Sequence, residues 1–428
     1  MANRNLNDWL SFQLTLNPKE IELGLNRILN VWRKLGKPKP AKKIISIAGT
    51  NGKGSCVAIL ESILCESKYK VGSYTSPHLQ TYNERIKINR TNSNSNDLCI
   101  AFSEIEKARG DTPLTFFEFG TLAAILIFSR AELDIAIMEI GLGGRLDAVN
   151  IIDADVAIIT SIGLDHTEWL GKSTEQIGEE KAGIMRTGRP IVFGSINMPL
   201  SIEKKAKFLG AKLYRNGFDF HSLEDKTSWN WYSKKQSLIN LPKPSLMGSY
   251  QIQNAATSLE AVNLLSKVFP VEESHIHAGL KKISLNGRFD VHQRKCKWIL
   301  DVAHNLEATI ELINQFKKLD SNGNVHAVIG IFKDKPISKI LLCASAVITH
   351  WNMIDMSDHD RGSSASNLIK KMPSAATKNI NTWDNVDTCL KHVEKLTLED
   401  DIVLIFGSFV TVGRALSWMN KSLVDSTI

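Results

Sequence analysis

The sequence has no Cys-x-x-Cys pair: its six cysteines, at positions 56, 65, 99, 296, 343 and 389, stand far apart. That scatter argues against a disulfide framework and a thiolate zinc site, and favours free core thiols. Long apolar runs are missing too. A stretch such as Leu122 to Phe128 is far short of the ~20 residues that span a bilayer. Met1 to Trp9 holds no apolar h-region, so a secretory signal is not expected and a cytoplasmic, membrane-free protein is. Charge of one sign is scarce, with a formal net of +7 over 428 residues. Charges more than about 8 Å apart are screened at physiological salt. The densest basic stretch, Arg33 to Lys43, is broken by prolines and holds no aromatic. It reads as a solvated connection, so no nucleic-acid partner is expected. The mild positive balance suits small acidic substrates. Hydrophobic residues at 43% and charged ones at 23% are ordinary for a globular chain. A prior of ~150 residues per domain predicts two or three domains.

What is there centres on residues 44–55, Ile-Ile-Ser-Ile-Ala-Gly-Thr-Asn-Gly-Lys-Gly-Ser. The first five residues read as a short strand buried on both faces. Val57, Leu60 and Leu64 then recur at helical spacing. A Gly-rich turn between strand and helix is an anion site: Gly49, Thr50, Asn51, Gly52, Gly54 and Ser55 offer backbone N–H groups, and Lys53 adds a cation. The full G-x-x-x-x-G-K-[ST] pattern is not met, because Ile47 stands at its first glycine and Gly54 comes directly after the lysine.

Three further strands deliver polar residues to their ends, where ligands of parallel sheets gather. Lys70 to Thr75 ends in Ser76-Pro77-His78-Leu79, and Asp134 to Ile140 carries Glu139 at its end. Asp155 to Thr160 leads to Asp165-His166. A carboxylate at the end of a buried strand after a phosphate loop suits Mg²⁺, a hard cation, whereas an unpaired structural Glu there would be costly. Elsewhere, residues 6–35 read as helical, Asn89 to Asp97 as a mobile loop, and Ser173 as the cap of a helix carrying Lys181, by default a surface lysine. Residues 197–244 look irregular, and Tyr250 opens another helix, in which Asn254 could be a cap. Ser284 to Phe289 marks a hinge. Beyond it, strands at 298–301, 325–331 and 401–406 make a second α/β unit.

The motifs G-T-N-G-K-G-S, S-P-H-L with N-E-R-I, L-T-F-F-E-x-G-T, E-x-G-L-G-G-R-L-D, E-K-A-G-I, Q-x-x-N-A-A and D-V-A-H-N occur in that order. Together they resemble the folylpolyglutamate synthase/dihydrofolate synthase branch of the Mur ligase superfamily. The resemblance implies an α/β, Mur-ligase-like fold. A P-loop nucleotide-binding domain with a mainly parallel sheet (1–287) would precede a smaller Rossmann-like C-terminal domain (288–428). It assigns ATP to the phosphate loop with Asn254, Arg288 and Asp301, and Mg²⁺ to Ser76, Glu139 and His166, with a second cation site and K⁺ admitted. Lys53, His166 and Lys181 would be catalytic, Lys181 as a carbamylated lysine behind the metal. The pterin substrate would lie against Leu23, Gly24, Leu25, Thr115, Phe116, Phe117, Glu118, Arg145, Leu146, Asp147 and Ala148. His304 and Ser408 would hold the glutamate carboxylates.

The implied reaction is ATP-dependent joining of L-glutamate to dihydropteroate and to the γ-carboxylate of folates through an acyl phosphate. A monomer is expected, with the two domains closing to exclude water. The sequence departs from the family pattern at Tyr250, where relatives have His, at Asn286 for Pro, and at Leu306 for Pro. A synthase of polyglutamate tails only, a cell-wall Mur ligase and a P-loop ATPase are the rival readings. The last leaves residues 301–305 and the second α/β unit without an explanation.

Overall fold

Strands buried on both faces carry unbroken apolar runs, and such runs form the centre of each of the two large sheets. The structure, a computed structural model, describes residues 4–19, 21–319, 323–373 and 379–425. The chain divides into two units: Met1–His78, Tyr82–Ser245 and Gln251–Ser284 form one, and Leu79–Thr81, Leu246–Tyr250 and Leu285–Ile428 the other.

The first unit holds strands β1 (Ala41–Ala48), β2 (Val71–Tyr74), β3 (Ile86–Ile88), β4 (Thr91–Asn92), β5 (Leu133–Glu139), β6 (Val156–Ile159), β7 (Pro190–Phe193) and β8 (Lys212–Arg215). Their spatial order is β4-β3-β2-β5-β1-β6-β7-β8. All neighbours from β2 to β8 pair parallel, and the antiparallel β3 and β4 close one edge. The register Ile47↔Glu139 and Ala48↔Ile159 brings the ends of β5, β1 and β6 level. The doubly wound order places the phosphate loop between β5 and β6, where ligands collect in such sheets.

Three expectations are corrected in this unit. Residues 6–35 are not helical throughout: the helices cover Leu6–Leu16 and Asn26–Lys34; Asn17-Pro18 ends the first, since a residue before proline is pushed to extended backbone. Asn89 to Asp97 is not loop throughout: Thr91–Asn92 is β4, and Asn94 caps the helix Ser95–Arg109 by accepting from Asp97 N. Nor is 197–244 irregular. It contains the helix Leu200–Leu209, then β8 and an antiparallel sheet of β9 (Phe220–Glu224), β10 (Ser228–Ser233) and β11 (Ser237–Pro242). Trp229 and Trp231 alternate onto the buried face of β10.

The second unit is a six-stranded sheet of β12 (Asp290–Gln293), β13 (Lys297–Leu300), β14 (Val325–Ile329), β15 (His350–Ile354), β16 (Ile380–Trp383) and β17 (Ile402–Phe406), ordered β12-β13-β17-β14-β15-β16. Only β12 is antiparallel. Period-two alternation splits its core in two: Ile299, Ala327 and Leu404 pack on one face, Trp298, Val328 and Val403 on the other. No helix among the described residues is long and apolar enough to cross a membrane. All six cysteines are free.

Candidate active site

β1 ends at Ala48, and residues 49–52 turn into the helix Lys53–Glu66. Gly52, the residue before the helix, has φ 87°, a conformation glycine adopts without strain. A Cβ there would also come within 2.6 Å of Asn254 Oδ1. Asn254 is the fifth residue of the helix Tyr250–Leu265, so it is no helix cap; its amide packs on the phosphate loop. The loop is held mainly by the end of β6 and residues 160–163 just beyond it. Thr50 N donates to Ser161 O at 2.9 Å, and Asn51 N to Ser161 Oγ at 3.1 Å. The Thr160 and Ser161 hydroxyls both donate to Asn51 O, at 2.6 and 3.1 Å. Thr50 Oγ1 accepts from Gly163 N at 3.0 Å. Sequence reasoning misses these hydroxyls, although polar residues ending a buried strand are a signal for them.

Two lysine side chains meet at one carbonyl. Lys53 Nζ donates to Gly49 O at 3.1 Å and Thr50 O at 3.3 Å, and Lys181 Nζ donates to Gly49 O at 3.0 Å. Lys181 is no surface lysine: it is 4% exposed. Burial first, then the charge of Lys53, bring it down to about 7, against the pull of Asp165 and Asp147. Asp147, also buried, is pushed up to about 7 by desolvation, although its carboxylate accepts from Leu142 N at 2.8 Å and Val149 N at 3.0 Å. The Lys53 ammonium and a row of backbone N–H groups at a helix start make a site for a polyanion, with the Lys181 amine beside them.

Glu139, at the end of β5, accepts from Ser76 N at 3.2 Å. That contact brings two of the three candidate metal ligands together. His166 comes after β6 in left-handed backbone, φ 50°, and its N donates to Asp165 Oδ1 at 2.9 Å, with Nε2 4.0 Å from Oδ2. No cluster of three or more His, Cys, Asp or Glu side chains capable of holding a metal occurs among the described residues. The set of one carboxylate, one hydroxyl and one imidazole fits a cation completed by phosphate oxygens and water, as Mg²⁺ prefers.

The candidate substrate stretches converge beyond β5. Gly24 N donates to Leu146 O at 3.2 Å, so residues 23–25 meet 145–148. Phe117 lies over Gly141, where a Cβ would come within 2.5 Å of its ring. Gly144 packs on the backbone of Glu180 and Lys181, which is how two motifs far apart in sequence dovetail. Some side chains in these stretches are already engaged. Thr115 and Glu118 form a reciprocal cap on the helix Phe116–Arg130, and Arg27 pairs with Glu118 at 3.2 Å. Arg145 pairs with Glu180 at 2.7 Å.

In the second unit, Asp301 comes just after β13 and is buried; its oxygens accept from Phe289 N and Ala303 N, both at 2.8 Å. Burial raises its carboxyl, and the neighbouring Arg288 guanidinium opposes that rise. Arg288 lies over the Phe409 ring, 5.2 Å from its centroid, and donates to Gly287 O at 3.1 Å. His304 Nδ1 donates to Val302 O at 2.7 Å, so its Nε2 donates only in the imidazolium form. Ser408, after β17, is buried: it accepts from Thr411 N at 3.1 Å and bonds the Thr411 hydroxyl at 2.8 Å. It is engaged as a helix cap.

Comparison with known proteins matches residues 47–262 to the Mur ligase middle domain and 287–409 to the Mur ligase glutamate ligase domain. The chain is 41% identical over 411 residues to the dihydrofolate synthase/folylpolyglutamate synthase of Escherichia coli, covering 96% of this chain and 94% of that one. It is 30% identical to the Bacillus subtilis protein of the same name, covering 95% and 96%. A structure of E. coli FolC in complex with DHPP and ADP superposes with a TM-score of 0.93 at 40% identity over 99% of both chains. A bifunctional folylpolyglutamate synthase/dihydrofolate synthase with Mn, AMPPNP and L-glutamate bound has a TM-score of 0.90 at 40% identity, covering 98% and 99%.

Proposed function

The chain belongs to the Mur ligase family, in its dihydrofolate synthase/folylpolyglutamate synthase branch, and from that premise we propose that it is an ATP-dependent ligase joining L-glutamate to dihydropteroate and to the γ-carboxylate of folates. The observation that carries this reading is the convergence of Lys53 and Lys181 on Gly49 O, on the sheet edge where residues 23–25, 117 and 145–148 also gather. A polyanion site with an aromatic ring close by suits a nucleotide and a pterin acid.

In the chemistry this supports, the acid's carboxylate oxygen attacks the γ-phosphorus of ATP, ADP leaves, and an acyl phosphate forms. The glutamate amine then attacks the acyl carbon; phosphate leaves, a proton is lost, and the amide remains. Lys53 and the loop N–H groups meet charge on the transferred phosphoryl group. Ser76, Glu139 and His166 would hold a divalent cation, Mg²⁺ in this reading, which when bound screens the phosphate oxygens. Asn254, Arg288 and Asp301 are assigned to the nucleotide, and His304 to a glutamate carboxylate.

Lys181 stands near 7, so much of it is free amine at neutral pH, the form that adds carbon dioxide. The new N–C bond releases one proton and leaves a carbamate anion in place of the neutral amine. Carbon-13 bicarbonate and NMR would detect it. Six free cysteines suit a reducing compartment, and the cytosol is the proposed location.

The deciding experiment is mass spectrometry of products from dihydropteroate and from tetrahydrofolate, each with ATP and glutamate. One added glutamate on each acid is expected, with oxygen-18 passing from labelled carboxylate into phosphate. Turnover of ATP indifferent to both acids would point to an ATPase instead. Extension of tetrahydrofolate alone would leave only the tail-lengthening activity.

A further inference from the structure

We propose that Arg85 binds a carboxylate of the pterin-linked substrate that does not itself react, one that a glutamylated folate carries and a pteroate lacks. The inference rests on the substrate reading above. Arg85 is only 9% exposed, yet among the described residues no carboxylate pairs with it. Its Nε donates to His78 Nδ1 at 2.9 Å. Its guanidinium carbon lies 5.2 Å from the centroid of the Tyr82 ring and 5.4 Å from that of Phe116. Neither terminal nitrogen bonds a described residue. A guanidinium is costly to bury without an anion, and its planar fork of donors matches a carboxylate at two points.

Its place in the fold selects the carboxylate. Tyr74 pairs with Ile86, and Thr75 N donates to Arg85 O at 2.9 Å. Arg85 therefore stands at the carboxyl end of β2, on the edge that carries the phosphate loop. In the order β3-β2-β5-β1, however, it is three strand spacings from β1, roughly 14 Å. The reacting carboxylate has to meet the γ-phosphate over the β1 loop, so the anion taken by Arg85 is a different one. Phe116, beside the guanidinium, comes from the stretch assigned to the pterin acid. A pteroate has one carboxylate, and it reacts; a folate monoglutamate has a second, on the α-carbon.

The test compares KM and kcat for dihydropteroate and tetrahydrofolate in the full-length wild type and in Arg85→Ala and Arg85→Lys. Arg85→Ala should raise KM for tetrahydrofolate by about 10- to 100-fold, the worth of a charged hydrogen-bonded pair, and leave KM for dihydropteroate within about twofold. Arg85→Lys, which keeps the charge and loses the fork, should fall between. Equal losses on both acids, or lower kcat with unchanged KM, would make Arg85 a packing residue and overturn the assignment. Should the variants not fold, the wild type with the α-carboxylate of tetrahydrofolate converted to an amide gives the same reading; unchanged KM overturns it. A wild type idle on both acids overturns the substrate reading and this assignment together. Activity on both acids that the variants leave unchanged overturns this assignment alone.

Discussion

At Gly49 two lysine side chains share one carbonyl oxygen, and the residue itself leaves no room for a side chain. With φ at +154° and the Thr160 hydroxyl where a Cβ would stand, Gly49→Ala should cost about 1–3 kcal/mol. Denaturant unfolding measures it; an unchanged midpoint would mean that the loop yields easily. Lys181 gives a pH signature. Its folded value is about 7 against an ordinary 10.5. Between these the unfolded chain keeps a proton that the folded chain has shed, so stability from this group rises with pH across that window. Below about pH 7 the full cost of the buried charge applies. Lys181→Met should therefore gain most over the wild type near pH 6 and lose that advantage towards pH 10. Parallel stability curves would refute it. The burial of Lys181 is not legible in sequence, because Glu-Glu-Lys on a polar helix looks solvated. Its cover comes from Gly144 and Gly49, residues 37 and 132 positions away. The phosphate loop is legible because strand, glycines and helix are contiguous.

Among the elements, the helix Phe116–Arg130 depends on its reciprocal cap. Thr115 Oγ1 accepts from Glu118 N at 3.2 Å, and Glu118 Oε2 accepts from Thr115 N at 2.8 Å. Thr115→Ala should cost about 1 kcal/mol, a fall in Tm of roughly 2–4 °C, by differential scanning calorimetry. If capping is its whole role, KM for dihydropteroate stays put; a risen KM would support the assignment of Thr115 to the substrate's surroundings. The elements that sequence reasoning misjudges share a cause: one residue type serves two structures. Asn94 belongs equally to loops and to helix starts, and here it caps a helix. Trp229 and Trp231 sit two apart, the period of a strand, but lysines and serines around them mask a two-faced sheet.

For the whole molecule, the second unit is not one length of chain. Leu79–Thr81 and Leu246–Tyr250 belong to it. Leu79 packs beside Val302 and Val412 around Gly287 and against Gly413, and Gln80 Nε2 donates to Ser417 Oγ at 3.3 Å. A truncated chain of residues 285–428 would expose that apolar surface, worth about 1–2 kcal/mol for a partly buried leucine. It should melt below the same unit in the intact protein, and adding back a peptide of residues 76–84 should raise its Tm. Equal melting would show that the early segment is dispensable. No local pattern around Leu79 could reveal this, since the pairing spans more than 200 residues.

The phosphate loop's shape has a consequence for its portability. Residues 49–52 are tied by Thr160, Ser161 and Gly163, which lie on another strand end more than 100 positions later. Cut out and grafted between some other strand and helix, the seven letters from 49 to 55 would arrive without the hydroxyls that bend them. The motif is a label; the cradle is a property of two neighbouring strands, and neither can be transplanted alone.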